Sequence, residues 1–412
     1  ATVRASGEGV SVIPVTIPAP VLRAAVRATF HPVLSRGVPL RLQRPLTEAL
    51  LRPLAVTRGA HIRSTNLGGV PTEVVEHDGA DRSAAVVYLH GGGFTTLSPV
   101  THRGLAAHLA LAAGCPVYLP RYRLAPEHPC PAALEDALAA HQALLTSGCP
   151  PGRVALAGDS AGANLIVAVA LRLRERGGPP AAALGLISPW LDLTLSGPSV
   201  TAEAAGDPLL KPSWLRLCAR RYAGVHALDD PTVSPLFADL HGLPPVFVQG
   251  GANDVLVSDA DRFVERARAS GVRVEHDRVE GMWHDFQVLA GLLAAAGPAL
   301  ARLGTFLRTC IEGSPRPPSV AIMGGGLARL GMASPSSTRP AGPVTGDGVE
   351  RRVDAIIYGT GFSANGSNTK LGSGSIVHRR RTRRFDTAAH RAVSPEAAGT
   401  AAEHPEPAGA PG

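Results

Sequence analysis

Three short stretches of this 412-residue chain carry side chains that could do chemistry together. The first is Gly158-Asp159-Ser160-Ala161-Gly162, a G-x-S-x-G pentapeptide. An apolar run of strand character, 153–157, precedes it, and 164–173 after it reads as a buried helix. A strand, a sharp turn and a helix are what a nucleophile elbow needs. The turn strains the serine backbone and lifts its hydroxyl clear of the sheet, and the flanking glycines let strand and helix pass closely. The helix N-terminus aims its free N–H groups at the same point. The second stretch is His90-Gly91-Gly92-Gly93-Phe94, which begins 70 residues before Ser160. A hydroxyl attacking an ester carbonyl builds negative charge on the carbonyl oxygen, and that charge needs fixed N–H donors about 3 Å away. A glycine triplet after a strand offers successive N–H groups with no side chain in the way.

A serine nucleophile also needs a base, and the base a carboxylate to orient it. Among 15 histidines, position favours His284, in the third stretch, Gly281-Met282-Trp283-His284-Asp285-Phe286, which reads as a loop after the last strand. His276 falls at the end of that strand, and His226 and His241 lie in irregular stretches. Three carboxylates, Asp254, Asp259 and Asp261, follow the expected strand 246–249. Asp254 sits on the loop opened by Gly250-Gly251-Ala252-Asn253, where a side chain can reach across to the next loop. Asp259 and Asp261 read as first-turn helix residues, whose ordinary role is capping. Asp254 is therefore favoured over Asp259.

These groups must be held by a larger frame. Strands are expected at 61–64, 72–76, 84–89, 116–119, 184–187, 246–249 and 272–275, beside the one before Ser160. Helices are expected at 104–113, 132–145 and 260–270, beside the one after it. Residues 288–301 read as a core helix interrupted at Gly297-Pro298 and too short to span a bilayer. Residues 21–54 read as short helices broken by Pro32, Pro39 and Pro45. Strands alternating with helices specify an α/β architecture: a mostly parallel sheet of about eight strands with helices on both faces. Ligands of such sheets lie at the carboxyl ends of the strands, where every candidate above falls.

Composition narrows the setting. The chain is 45% hydrophobic, enough for a sizeable core, and carries a net charge of +7. From residue 314 onward there are twelve Lys/Arg against seven Asp/Glu, so most of the basic excess belongs to the tail. It says little about partners of the main domain. Five cysteines in no C-x-x-C pattern argue for a reducing compartment, without a disulfide framework or zinc site. Residues 1–20 lack a basic start followed by an apolar run, so a secretory leader is not expected and a cytoplasmic location is.

The motifs together resemble the hormone-sensitive lipase family of α/β-hydrolases, in its bacterial esterase branch. The resemblance rests on His90 to Phe94, Tyr122-Arg123-Leu124-Ala125-Pro126-Glu127-His128-Pro129, residues 131–136, Gly158 to Gly162, Ser188-Pro189-Trp190-Leu191-Asp192-Leu193 and Gly281 to Phe286, and covers roughly residues 60–310. Cys130 stands where an aromatic is usual, and Ala163 where the family often has Gly. The resemblance implies an α/β-hydrolase fold and a triad of Ser160, Asp254 and His284. It also implies an oxyanion hole of Gly91, Gly92 and the Ala161 N–H, and a helical cap from residues 1–55 and about 195–230 over a catalytic domain of 56–313. The implied activity is hydrolysis of short- and medium-chain esters through an acyl-enzyme, with no metal or cofactor. The expected partner is a small-molecule ester; nucleic acid and stable membrane insertion are not expected, and a homodimer is compatible with the sequence. Lactones or the ester products of Baeyer–Villiger oxidation are an alternative substrate class, and a non-catalytic binder on the same fold would be expected to lose a triad member. Residues 314–412 read as a low-complexity, disordered tail. In it, 319–331 and Val353 to Phe362 are similar to degenerate pieces of flavin-containing and Baeyer–Villiger monooxygenases. Arg329 replaces the last glycine of the dinucleotide fingerprint.

Overall fold

The central strands are continuous apolar runs, and their side chains alternate between two buried faces. In Ala85–Leu89, residues Ala85, Val87 and Leu89 enter one hydrophobic cluster while Val86 and Tyr88 enter another. A strand buried on both sides must lie inside a sheet covered by helices on both faces. The computed structural model describes residues 16–54, 59–202 and 206–313, and it has that arrangement.

Eight strands form one sheet in the order β1-β2-β4-β3-β5-β6-β7-β8. They are β1 (Ala60–Leu67), β2 (Val70–His77), β3 (Ala85–Leu89), β4 (Val117–Pro120), β5 (Val154–Asp159), β6 (Leu184–Ile187), β7 (Val246–Gly251) and β8 (Val274–Val279). The β1/β2 and β2/β4 pairs are antiparallel, and all pairs from β4 to β8 are parallel. The helices are α1 (Ala19–Val33), α2 (Leu40–Leu51), α3 (Pro99–Ala113), α4 (Ala132–Thr146), α5 (Ala161–Glu175), α6 (Ser199–Ala202), α7 (Pro212–Ala223), α8 (Val257–Ala269) and α9 (Ala296–Glu312). Side chains of α3 and α9 fill one face of the sheet; those of α4, α5 and α8 fill the other. Burying each of their Leu, Val or Phe side chains contributes roughly 1.5–3 kcal/mol.

Several boundaries differ from the sequence expectation, each for a physical reason. The stretch 288–301 is not one interrupted helix: a single 3-10 turn covers Phe286–Leu289, and α9 begins at Ala296. Pro298 then lies in the first turn of α9, where no intrahelical N–H is needed. Proline starts this helix rather than breaking it. The last strand begins at Val274 and runs on to Val279, so His276 lies within it, opposite Val248, and not at its end. Helix α3 begins at Pro99 because Ser98 and Thr101 form a reciprocal capping box ahead of the expected start. Of the three N-terminal prolines, Pro39 caps α2, whereas Pro32 and Pro45 lie inside helices.

The two N-terminal helices and α7 lie over the carboxyl end of the sheet, with α1 packed on the loop after β8. Leu22 and Val26 share a cluster with Trp283, Phe286 and Leu289. Gln43 joins the roof pieces: its Nε2 donates to the Ser35 and Val38 carbonyls, and its Oε1 accepts from Trp214 Nε1 at 3.0 Å. The side chain of Arg44 fastens α2 below, donating to the Thr95 and Ala125 carbonyls and to both oxygens of Glu127. No helix among the described residues is long and apolar enough to cross a membrane. The fragments at 319–331 and 353–362, with the rest of 314–412, lie outside the described residues.

Candidate active site

Ser160 stands between β5 and α5 with φ 50° and ψ −115°, a left-handed conformation that costs a non-glycine residue of order 1–3 kcal/mol. Its N–H donates to the Ile187 carbonyl at 2.9 Å, which ties the turn to β6. The elbow is tight enough that a Cβ at Gly162 would overlap the Leu89 carbonyl of β3, so only glycine fits there. The serine side chain faces a cavity of about 70 Å³. Val26, Phe30, Leu34, Leu209, Trp214 and Leu289 supply much of its apolar wall, and His284 lies on it as well.

His284 and Asp254 come from adjacent loops, after β8 and β7. Both are about 1% exposed. Each Asp254 carboxylate oxygen is 3.0 Å from His284 Nδ1, which assigns a proton to that nitrogen and makes Nε2 the unprotonated nitrogen of the neutral ring. Burial disfavours the charged imidazole, but the carboxylates of Asp254 and Asp285 outweigh it and hold its pKa well above the ordinary 6.5. The other two carboxylates that the sequence offered do not reach His284. Asp259 accepts the Leu191 and Asp192 N–H groups, both at 2.9 Å, and pins the loop after β6. Asp261 pairs with Arg278 and His276 near the surface. His226 pairs with Asp230, four residues along its own segment.

The glycine triplet departs from expectation at one position. The Gly91 N–H, expected to face the substrate oxygen, is bonded to Asp159 Oδ2 at 3.0 Å and so is already used. Its neighbours Gly92 and Gly93 line the cavity instead. Among the described residues the N–H groups of Gly92, Gly93 and Ala161 meet no acceptor within the fold. Gly92 has φ 97°, and a Cβ there would strike the Thr96 carbonyl, so this position requires glycine.

Asp159, the unspecified residue of the G-x-S-x-G motif, anchors a buried network. Besides the Gly91 N–H, it accepts from Tyr88 Oη at 2.8 Å and faces His102 Nε2 at 3.2 Å. It locks the glycine loop after β3, the elbow and α3 to one another. Asp207 does the same for the roof. Its carboxylate accepts the N–H groups of Leu209 and Leu210 on the cavity side and that of Val255 on the Asp254 loop. Neither His102 nor Asp207 stood out in the sequence, since a lone His or Asp carries no spacing signal. Asp285 was visible only as the neighbour of His284. Its Oδ2 lies 3.0 Å from His284 Nε2, and burial pushes its carboxyl up to about 7.

Residues 86–288 match the family model described as the alpha/beta hydrolase fold. An acetyl-hydrolase of Streptomyces hygroscopicus is 44% identical over 54% of this chain and 75% of its own length. An esterase of Acinetobacter venetianus is 37% identical over 64% and 87%, respectively. The solved structure of an esterase from the bacterial hormone-sensitive lipase family superimposes with a TM-score of 0.68. It is 37% identical and covers 72% of this chain and 100% of its own. This chain belongs to the hormone-sensitive lipase family of α/β-hydrolases. A metagenomic hormone-sensitive lipase aligns equally well, at TM-score 0.69 and 34% identity over 72% of this chain and 99% of its own. Within this family frame the eight-stranded sheet, the strained Ser160 and the Asp254–His284 pair belong to one continuous arrangement at the carboxyl ends of β5, β7 and β8.

Proposed function

We propose that the protein is a serine carboxylic ester hydrolase acting on short- and medium-chain esters through an acyl-enzyme. The observation that carries this reading is the buried Asp254–His284 pair, bonded through Nδ1, on the cavity that also receives the strained Ser160. In the first step His284 Nε2 takes the Ser160 proton as Oγ attacks the ester carbonyl carbon. The N–H groups of Gly92, Gly93 and Ala161 receive the negative oxygen. Nε2 then passes the proton to the departing alcohol, which leaves Ser160 acylated. Water, deprotonated by the same nitrogen, attacks the acyl carbon and releases the acid. Asp254 keeps the imidazole in the required tautomer and stabilises its charged form.

The cavity wall is largely hydrocarbon, from Val26, Phe30, Leu34, Leu209, Trp214 and Leu289, which supports an apolar acyl chain. The names of the related acetyl-hydrolase and esterase agree with this reading. The test is a series of p-nitrophenyl esters from acetate to palmitate. Turnover should peak between acetate and hexanoate and be lost in Ser160→Ala. Turnover that survives Ser160→Ala, or that is fastest on palmitate, would overturn the proposal.

A further inference from the structure

Two acidic side chains line the cavity without a part in the reaction above: Asp159, which the Gly91, Tyr88 and His102 contacts occupy, and Asp285. The Asp285 backbone is left-handed, with φ 52°, and its N–H donates to Ser188 Oγ at 3.1 Å, so the side chain is held in place. That side chain is about 10% exposed. One oxygen, Oδ2, faces His284 Nε2 at 3.0 Å; the other, Oδ1, is buried and has no hydrogen-bond partner. A buried acceptor without a donor is costly, and it calls for an explanation in a folded protein.

Apart from the Ser160 hydroxyl and the Gly92 and Gly93 N–H groups, which the proposed reaction uses, and His284, the other polar side chains around this cavity have partners within the fold. Asp159 has Gly91, Tyr88 and His102. The Thr47 hydroxyl donates to the Gln43 carbonyl, and that of Thr96 to the Gly92 carbonyl. Much of the remaining wall is hydrocarbon. Asp285 Oδ1 is thus the acceptor left for a ligand. Its place beside Nε2 also fixes which part of the ligand it meets. Nε2 delivers its proton to the departing alcohol, so a carboxylate against Nε2 flanks the alcohol portion and not the acyl chain.

Building on the esterase reading, we propose that Asp285 selects esters whose alcohol portion carries a second hydroxyl next to the ester oxygen, such as a monoester of a vicinal diol. That hydroxyl donates to Asp285. A hydroxyl suits this small apolar cavity better than an ammonium group, whose desolvation is far more costly. The hydrogen bond has a second consequence. In the ligand-free protein Oδ2 engages the nitrogen that must face Ser160 Oγ. A substrate hydroxyl that donates to Oδ1 lowers the basicity of the carboxylate and weakens the hold of Oδ2 on Nε2, so the preference should appear in kcat as well as in KM.

The experiment compares 2-hydroxyethyl butyrate with propyl butyrate, which differ by a hydroxyl in place of a methyl. Both are measured from pH 5 to 9 in the wild type, Asp285→Gly and Asp285→Asn. Glycine accepts the left-handed backbone without strain, and melting temperatures check that each variant is folded. The wild type should favour the hydroxyethyl ester by at least about tenfold in kcat/KM. The ratio should fall to about one in Asp285→Gly and be intermediate in Asp285→Asn, which keeps an acceptor oxygen. A wild type without preference, or a preference that survives in Asp285→Gly, would overturn the assignment. So would a variant in which both substrates shift together along the pH axis at constant ratio, since Asp285 would then act only on His284. If neither ester is hydrolysed while both fold, the esterase reading itself falls, and this assignment with it.

Discussion

Among the described residues, the Asp254–His284 and Asp159–His102 pairs are equally buried, and they have different prospects. Asp254–His284 and Asp159–His102 are both about 1% exposed, at 3.0 and 3.2 Å. In both imidazoles, neighbouring carboxylates overcome burial and raise the pKa. The difference lies in which nitrogen the carboxylate takes. Asp254 takes Nδ1 of His284, and Nε2 lies on the cavity wall beside the Asp285 carboxylate at 3.0 Å. Asp159 takes Nε2 of His102, whose Nδ1 lies 2.8 Å from Thr101 Oγ1, so no nitrogen remains for a substrate. Burial and ion pairing therefore do not by themselves make a general base. The second pair is a clamp, and what it clamps is the Gly91 N–H.

This contrast can be broken at several points. The largest effect is expected on the reactive side. Ser160→Ala or His284→Ala should each lower kcat by roughly 10⁴-fold or more, because members of such a unit act together. Comparable turnover by either variant would remove the contrast. Asp254→Asn should cost about 10³- to 10⁴-fold, since the amide no longer enforces the tautomer. Single-turnover acylation rates at fixed pH would measure this.

The clamp should behave otherwise. His102→Ala removes a partner of the buried Asp159 carboxylate, which should lower stability by about 1–3 kcal/mol. Through a displaced oxyanion loop it should also reduce kcat by roughly 10- to 100-fold. Thermal melts and steady-state kinetics would separate the two losses. The acid limb of the pH profile should stay where it is, and a moved limb would mean that His102 titrates in the reaction.

The pH profile gives a further, smaller contrast. A general base must be neutral, and the carboxylates around His284 favour its charged form. The acid limb of kcat/KM should thus have its midpoint above 6.5. The groups responsible are Asp254 from the loop after β7 and Asp285 from the loop after β8, with Asp159 at the end of β5 and Asp207 in the roof nearby. Asp285→Asn removes one of these charges, so the midpoint should move to lower pH. An unchanged or raised midpoint would contradict the contact at Nε2. The smallest effect is expected for Asp259→Asn. One amide oxygen can still accept the Leu191 and Asp192 N–H groups, so esterase kcat should change less than about twofold. A crippled Asp259→Asn would reverse the choice between Asp254 and Asp259.

Local sequence determined much of this. The elbow at 158–162 was legible because an apolar strand, a glycine-flanked serine and a helix follow one another within twenty-odd residues, and steric rules act over that range. The candidacy of Asp254 and His284 was legible because both fall on loops after strands, and α/β sheets gather such loops at one edge. The start of α9 was misjudged because proline has opposite meanings inside a helix and in its first turn, and only the packing of Ala296 against Leu293 and Phe286 locates that turn. The Gly91 N–H could not be assigned from its motif. Whether a backbone donor is free depends on what else reaches it, and its acceptor is Asp159, 68 residues away in the chain. Asp207, His102 and the unpartnered oxygen of Asp285 were hidden for the same reason. Periodicity and turn chemistry are local and fix the elements. Hydrogen-bond satisfaction is settled only when distant segments meet, so the tertiary structure alone decided which groups are clamped and which remain for a substrate.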